Sequence, residues 1–268
     1  MCQVLAVSKS GYYRWRSRQT DPEEASLKDL IKAIYAEHRG RYGYRRIYKE
    51  IKRRGLRVNH KRVSRLMRSI GLKGIQKKAY KKTTDSNHKN TVSENLLEQN
   101  FNTEDINLVW LSDITGIKTF EGWLYLAVVM DLYSRRILGW ELSESLEKEV
   151  VIAALRKALR TYSPNGHLIF HSDRGVQFTS YEFREMLERF GIKQSMSGKG
   201  NCYDNAPMES LFHSLKTELL LANCIETKYA TRAEVFEYLE VYYNKKRLHS
   251  SLQYRTPNEV FFERKIYN

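Results

Sequence analysis

The stretch HSDRGVQFTSYEFREMLERFGIKQSMSGKGNCYDNAPMESLFHSLK, residues 171–216, decides how this chain is read. It follows an apolar run, HLIF (167–170), that predicts a buried strand, and it closes on a helical pattern starting near Pro207. Asp173 ends the strand run and Glu209 sits near the start of the helix, with 35 residues between them. A third carboxylate, Asp113, closes another apolar run, LVWLSD (108–113), 60 positions ahead of Asp173. Two strand ends and one helix face can converge on one point. Three convergent carboxylates are hard oxygen donors of the kind that hold Mg2+, and such a site suits phosphoryl transfer.

Spacing alone does not single out this triple, because the chain carries 31 acidic residues. The wording around the three does. WLSDIT, DLYSRRILGW, HSDRGVQFTS, SMSGKGNCYDNAPMESLFHSLKTE and YYNKKRLHSSLQYRTP follow one another in a fixed order. Together they resemble the integrase core of bacterial DDE transposases, in particular the second-reading-frame proteins of the insertion-sequence-three family, relatives of retroviral integrases. The resemblance spans about residues 22–262. It implies an α/β fold of the RNase H-like integrase type, a mixed five-stranded sheet with flanking helices, preceded by a small all-α helix-turn-helix-like domain. It also implies metal-dependent DNA cleavage and strand transfer. Asp113, Asp173 and Glu209 stand at the positions that in the family bind two Mg2+ ions, with Mn2+ as a substitute.

Further residues follow from those motifs. Lys216 lies seven residues after Glu209, two turns along one helix face, and the family carries a basic residue there, which assigns Lys216 to DNA beside the active site. The loop SGKGNCYDNAP (197–207) offers Lys199, Asn201 and Asn205 as substrate contacts, and Asn205 can also cap the helix that Pro207 starts. His171 precedes Asp173 by two and shares its strand face, so it can orient a carboxylate, contact DNA, or serve as a hydrogen-bonded structural histidine. Asp131, in the DLYSR motif, is read as structural. For Arg247 and His249, packing and DNA contact both stay open.

Charge divides the chain. Residues 1–90 hold 25 Lys and Arg against 7 Asp and Glu, a balance of +18, whereas residues 91–268 hold 21 against 24, a balance of −3. Concentrated positive charge predicts a polyanion partner, DNA, through salt-sensitive phosphate contacts. Within that third, residues 1–20 form a basic segment, and Asp21-Pro22-Glu23-Glu24 reads as a helix start with Asp21 capping and Glu24 closing a capping box. Leu27, Leu30, Ile31, Ile34 and Tyr35 give that helix an inner face. Ile47 and Ile51 mark a second helix, and Val63, Leu66, Met67 and Ile70 a third that begins at Asn59 and stops at Gly71. The last two, joined by GLRVN, read as helix-turn-helix, with Lys61, Arg62, Arg65 and Arg68 turned to a major groove. The domain plan is therefore a basic segment (1–20), a helix-turn-helix-like domain (21–72), a cationic linker (73–94) and the catalytic domain with C-terminal helices (95–268).

In the second part, three β-rich runs come first, with turns expected at Gly116 and at Glu121-Gly122. A helix over 149–161, a strand at HLIFHSD, a helix over 181–190, a short strand IKQSM and helices over 207–221 and 231–244 follow. No apolar run approaches the roughly 20 residues of a membrane helix, and no signal peptide is evident, so a cytoplasmic, nucleoid-associated bacterial protein is expected. Three cysteines with no C-x-x-C pair fit a reducing compartment, and no zinc is expected, since no His-His-Cys-Cys spacing occurs. The family pattern is broken at Ile106-Asn107, where Pro-Asn is usual, and at Val176, where a small residue is usual. Family members act as a frameshift fusion with an upstream-frame protein that recognises the element's ends, so such a partner and an oligomer on DNA are expected. Two other functions stay open: a non-catalytic DNA-binding remnant, and an RNase H-like nuclease that only hydrolyses.

Overall fold

The computed structural model describes residues 2, 4–16, 22–75, 92–162, 164, 166–220 and 227–267. The chain divides into two compact units, Met1–Ile75 and Gln76–Asn268. Most of the cationic linker expected at 73–94, and the capping residue Asp21, lie outside the described residues.

The first unit carries α1 (Lys9–Arg16), α2 (Pro22–Glu37), α3 (Tyr44–Arg53) and α4 (His60–Ser69). Pro22 opens α2, where its missing N–H costs nothing. The core of the unit is the predicted set of stripes: Ile31 and Ile34 from α2, Ile47 and Ile51 from α3, and Val63, Leu66 and Met67 from α4 are all buried. The Asn59 side chain accepts from the Lys61 backbone N–H at 2.8 Å to start α4. Gly71, at φ +73°, follows its end in the left-handed conformation that glycine takes without penalty. Glu24 pairs with Lys28 at 3.0 Å and Arg65 at 3.2 Å, while the capping box expected between Glu24 and Asp21 lies outside the described residues.

The second unit is built on one five-stranded sheet in the order β3-β2-β1-β4-β5. β1 (Val109–Thr119), β2 (Gly122–Asp131) and β3 (Ile137–Ser143) run as an antiparallel meander. After α5 (Lys148–Thr161), β4 (Ile169–Ser172) joins the other edge of β1 in parallel. After α6 (Tyr181–Arg189), β5 (Lys193–Met196) pairs in parallel with β4. Parallel pairing requires those crossover helices. One face of the sheet, with Trp110, Ala127, Val129 and Phe170, packs against Val151, Ala154, Leu155 and Ala158 of α5 and Phe183 and Leu187 of α6 to form the main core. α5 approaches β3 so closely at Gly139 that a Cβ there would sit 2.3 Å from the Ala154 carbonyl oxygen. Only glycine fits.

Gly116 is a correction to the sequence reading. It was expected to turn the chain, yet β1 runs straight through it, with Gly116 opposite Tyr125 in the ladder. Its missing side chain makes room for the Trp123 ring, which a Cβ would meet at 3.1 Å. The turn lies at Glu121-Gly122, as expected, where Gly122 has φ +120°.

The C-terminal part begins with α7 (Ala206–Leu215), which continues as a π-helical stretch Lys216–Leu220. Residues 221–226 are outside the described set. α8 (Lys228–Phe236) likewise continues as a π-helical stretch, Glu237–Tyr243, and α9 (Pro257–Tyr267) follows. Among the described residues no helix is long and apolar enough to cross a membrane.

Candidate active site

Side chains alternate along β1, so Asp113 faces away from the α5 layer, on the side with Leu111 and Thr115. Its position is mid-strand rather than at a strand end, opposite Val128 of β2. On the other edge of β1, Leu111 pairs with His171 of β4, which puts Asp173, the first residue past β4, beside the Asp113 level. The third partner arrives on α7, which packs against β1, with Glu209 in its first turn.

The charges around Asp113 agree with that placement. The Asp113 carboxyl is held well above the usual carboxylate range, by desolvation first and then by the neighbouring charges of Asp173 and, more weakly, Glu209. Its own bond from the Ile114 N–H, 2.7 Å, and the Lys216 ammonium oppose that rise. Asp113 keeps part of its surface exposed, yet burial is the first cause of the rise. Asp173 is oriented by its own turn, its Oδ1 accepting from the Gly175 N–H at 2.9 Å. Glu209 is exposed. Lys216 is half-buried; burial lowers its pKa while Asp113 raises it. A carboxylate whose ionisation is made costly by neighbouring carboxylates suits a hard cation, which relieves the repulsion. Among the described residues no three His, Cys, Asp or Glu side chains stand close enough to enclose an ion as they are. The donor chemistry fits a divalent cation; the spacing is wider than a closed site.

Two sequence candidates for DNA contact are corrected by burial. His171 is fully buried, with Nδ1 2.9 Å from Ser195 Oγ and Nε2 3.3 Å from Ser197 Oγ, and so takes the structural role. Asn205 stands at the N-cap of α7 without capping it: its amide instead donates to the Ser112 carbonyl at 3.2 Å, fastening the helix to β1 beside Asp113. At 5% exposure it has no face for DNA. Asn201 works within the loop, accepting from the Tyr203 N–H at 3.2 Å and donating to Asp204 at 2.8 Å, which leaves Lys199 as the exposed cation there.

Asp204 was not singled out by sequence. It is buried and accepts from Asn95, Gln99, Gly198 and Asn201 at 2.6–3.0 Å, tying the segment ahead of β1 to the loop that precedes α7. Its partners are amides scattered over more than a hundred positions, and no periodicity marks such a hub. Asp131, by contrast, closes the β2–β3 turn as read, accepting from the Asn107 and Ser134 N–H groups at 2.8 Å and from Ser134 Oγ.

Burial lowers the His171 pKa from 6.5 to about 4, and Asp204 opposes this only in part. The unfolded chain takes up a proton near pH 6.5 that the folded chain refuses until about pH 4, so stability falls as pH drops through that window. The expected loss is up to about 3 kcal/mol, at about 1.4 kcal/mol per pH unit. Urea midpoints measured across the window should show it, and His171→Asn should flatten this limb; an equally steep limb in the variant would place the titration elsewhere.

The chain matches known proteins along nearly its whole length. The model of an integrase core domain covers residues 104–202, a second integrase core domain model covers 190–257, and an HTH-like domain model covers 22–80. Transposase InsF for insertion sequence IS3A of Escherichia coli K12 is 38% identical over 93% of this chain and 88% of that protein. The chain belongs to the insertion-sequence-three family of transposases.

Other members of the family agree in extent. The insertion element IS600 31 kDa protein of Shigella sonnei is 42% identical over 94% of both chains, and the transposase for insertion sequence element IS904 of Lactococcus lactis is 40% identical over 91% of this chain and 96% of that one. In this transposase the HTH-like match falls on the basic first unit, where a cleft of about 240 Å3 is lined by Tyr44, His60, Lys61, Ser64, Arg65 and Arg68. Lys61 and Arg68 are exposed, whereas Arg62 and Arg65 reach back to Glu23 and Glu24 at 3.0 and 3.2 Å. Exposed pairs of this kind are worth under about 1 kcal/mol, so a phosphate can compete for them.

Proposed function

We propose that Asp113, Asp173 and Glu209 hold a pair of divalent metal ions, Mg2+ with Mn2+ as a substitute, and that this transposase cuts and joins DNA at that point. The support is the convergence on Asp113 of two carboxylates and one ammonium from separate elements, β4's exit, α7 and the π-helical stretch after it. Metal ions so placed activate an attacking oxygen and stabilise a leaving one. The chain supplies the rest. β1, the Asp173 turn and α7 present the three carboxylates, Asn205 fixes α7 against β1, and Lys216 and Lys199 meet the phosphates of the bound strand.

Two displacements at phosphorus account for transposition. Water attacks a phosphodiester at the element's end, the bond from phosphorus to the terminal nucleotide's own 3′ oxygen breaks, and a 3′-OH is freed on the element while the phosphate stays on the 5′ end of the flanking DNA. That 3′-OH then attacks a target phosphodiester, forming the joining bond as the target's own 3′ oxygen leaves. Neither step needs a covalent enzyme intermediate. Residues 21–72 form the DNA-binding domain in this reading and 95–268 the catalytic one, in a cytoplasmic protein that works as an oligomer on DNA with an upstream-frame protein. Lys61→Ala and Arg68→Ala should each lower the slope of log affinity against log salt by about 1. Filter binding across a salt series reads this directly, and an unchanged slope would remove the residue from the interface.

The deciding experiment is a joining assay with labelled element ends, target DNA and Mg2+, run with and without the upstream-frame protein. Joined product is expected. Hydrolysis alone would indicate a nuclease, and binding without either product a DNA-binding remnant.

A further inference from the structure

At the end of the sheet where β1 and β4 begin, a second cavity of about 390 Å3 opens away from Asp113. It is walled by residues 101–103 ahead of β1, the β2–β3 turn at Leu132, Tyr133 and Arg135, and the C-terminal stretch 251–255 with Val260 of α9. No carboxylate lines it among the described residues. Two of its donors lack acceptors. The Thr103 hydroxyl is buried without a hydrogen-bond partner. Among the described residues the Arg135 guanidinium makes no hydrogen bond and no ion pair; burial lowers its pKa, and Tyr243 and Asp131 oppose that only at a distance. Asp131 itself is already saturated by Asn107 and Ser134. Arg255, across the cavity, is held by the Glu263 carboxylate and by the Glu259 carbonyl at 3.2 Å, so Arg135 is the cation left for a ligand.

The backbone presents Arg135 at some cost. Its φ is +59°, a left-handed conformation that a non-glycine residue adopts only when its surroundings impose it, and such positions cluster at binding sites. Unmet donors without acceptors call for an anion carrying several oxygens. Asn102 and Gln253 add amides that can pair with a base edge, and Phe101 and Tyr133 add rings on which a base can stack.

We propose that this cavity is a DNA-phosphate site separate from the catalytic one, in which Arg135 forks onto a phosphodiester and Thr103 donates a further bond. It rests on DNA being the substrate class, and on nothing about the metal site. An acidic protein segment is the competing occupant. The site would hold the strand at a point remote from the reacting phosphate and so fix its path across the core.

Binding of a labelled DNA duplex by the full-length chain, measured over a salt series in EDTA, tests this without any chemistry. Arg135→Asn keeps a residue that tolerates positive φ and removes the charge; it should weaken binding several-fold and lower the salt slope by about 1. Arg135→Gly should do the same with an undiminished Tm, which separates a lost contact from a damaged fold. Arg135→Lys should keep the slope while losing part of the affinity, and Thr103→Val should lower affinity at constant slope. Wild-type affinity and slope in both Arg135→Asn and Arg135→Gly would overturn the proposal and leave the cavity to an acidic segment. Absence of joined product from the wild-type chain with Mg2+, by contrast, would sink the catalytic reading and leave this one standing.

Discussion

Asp113→Asn, Asp173→Asn and Glu209→Gln should each abolish strand transfer while leaving DNA binding within a few-fold of wild type. A lost metal ligand forfeits several kcal/mol of transition-state stabilisation, and each 1.4 kcal/mol is tenfold in rate, so the expected loss is on the order of a thousandfold or more. A readout independent of activity accompanies it. The Asp113 carboxyl is pushed up by burial and by Asp173 and Glu209, so its charged form costs stability in the metal-free protein. Replacing it with neutral Asn of the same shape should raise Tm without metal, a gain in stability at the expense of function. Mg2+ should raise Tm of the wild type and leave Asp113→Asn unmoved. A variant that still joins ends, or that gains Tm from Mg2+ as the wild type does, would take Asp113 out of the site.

The second large effect comes from a pair that the motif YYNKKRLHSSLQY left undecided. Arg247 is 3% exposed and Glu218 5%, and the guanidinium grips the carboxylate twice, at 2.7 and 2.8 Å, while the Tyr238 hydroxyl donates to the same carboxylate at 3.0 Å. Burial alone would lower the Arg247 pKa, yet Glu218 and the tyrosines around it hold it well above its ordinary range, so the guanidinium stays charged at all working pH values. Arg247 therefore packs rather than contacts DNA. His249 keeps part of its surface exposed, with Nδ1 2.8 Å from Ser251 Oγ and its backbone N–H donating to the Arg255 carbonyl at 3.0 Å. Because Glu218 lies on the π-helical continuation of α7, the pair fastens the element that carries Lys216 to the C-terminal helices. Glu218→Gln strands a buried guanidinium and should cost about 3–5 kcal/mol. Arg247→Met with Glu218→Leu removes both charges and should recover most of that loss in chemical denaturation. A double variant no more stable than Glu218→Gln would mean that packing, not charge, sets the cost.

Much of the fold was legible because it rests on local periodicity. The apolar stripes of α2, α3 and α4, the three meander strands and the α5 helix all repeat at the spacing of their own secondary structure. Gly116 was misread because a glycine that turns a chain and one that admits a neighbouring ring look alike in sequence. Only the Trp123 ring, seven residues away across a hairpin, distinguishes them. Asn205 was misread for a related reason. An asparagine before a proline has the composition of a cap, and its preference for the Ser112 carbonyl depends on a strand 93 positions earlier.

By itself, the sequence determined the family, the order of the elements, the division into a basic helical unit and an α/β unit, and the choice of the three carboxylates proposed as the site, since each is carried by a run of neighbours or a motif. Tertiary structure alone decided which polar residues face solvent and which are buried partners. His171, Asn205 and Arg247 turned inward, Asp204 became a hub, and Arg135 was left facing a cavity with its donors unmet. The reason is physical: a hydrogen bond or a buried charge is completed by a partner whose position follows from the packing of the whole sheet, and that position is not written near either residue.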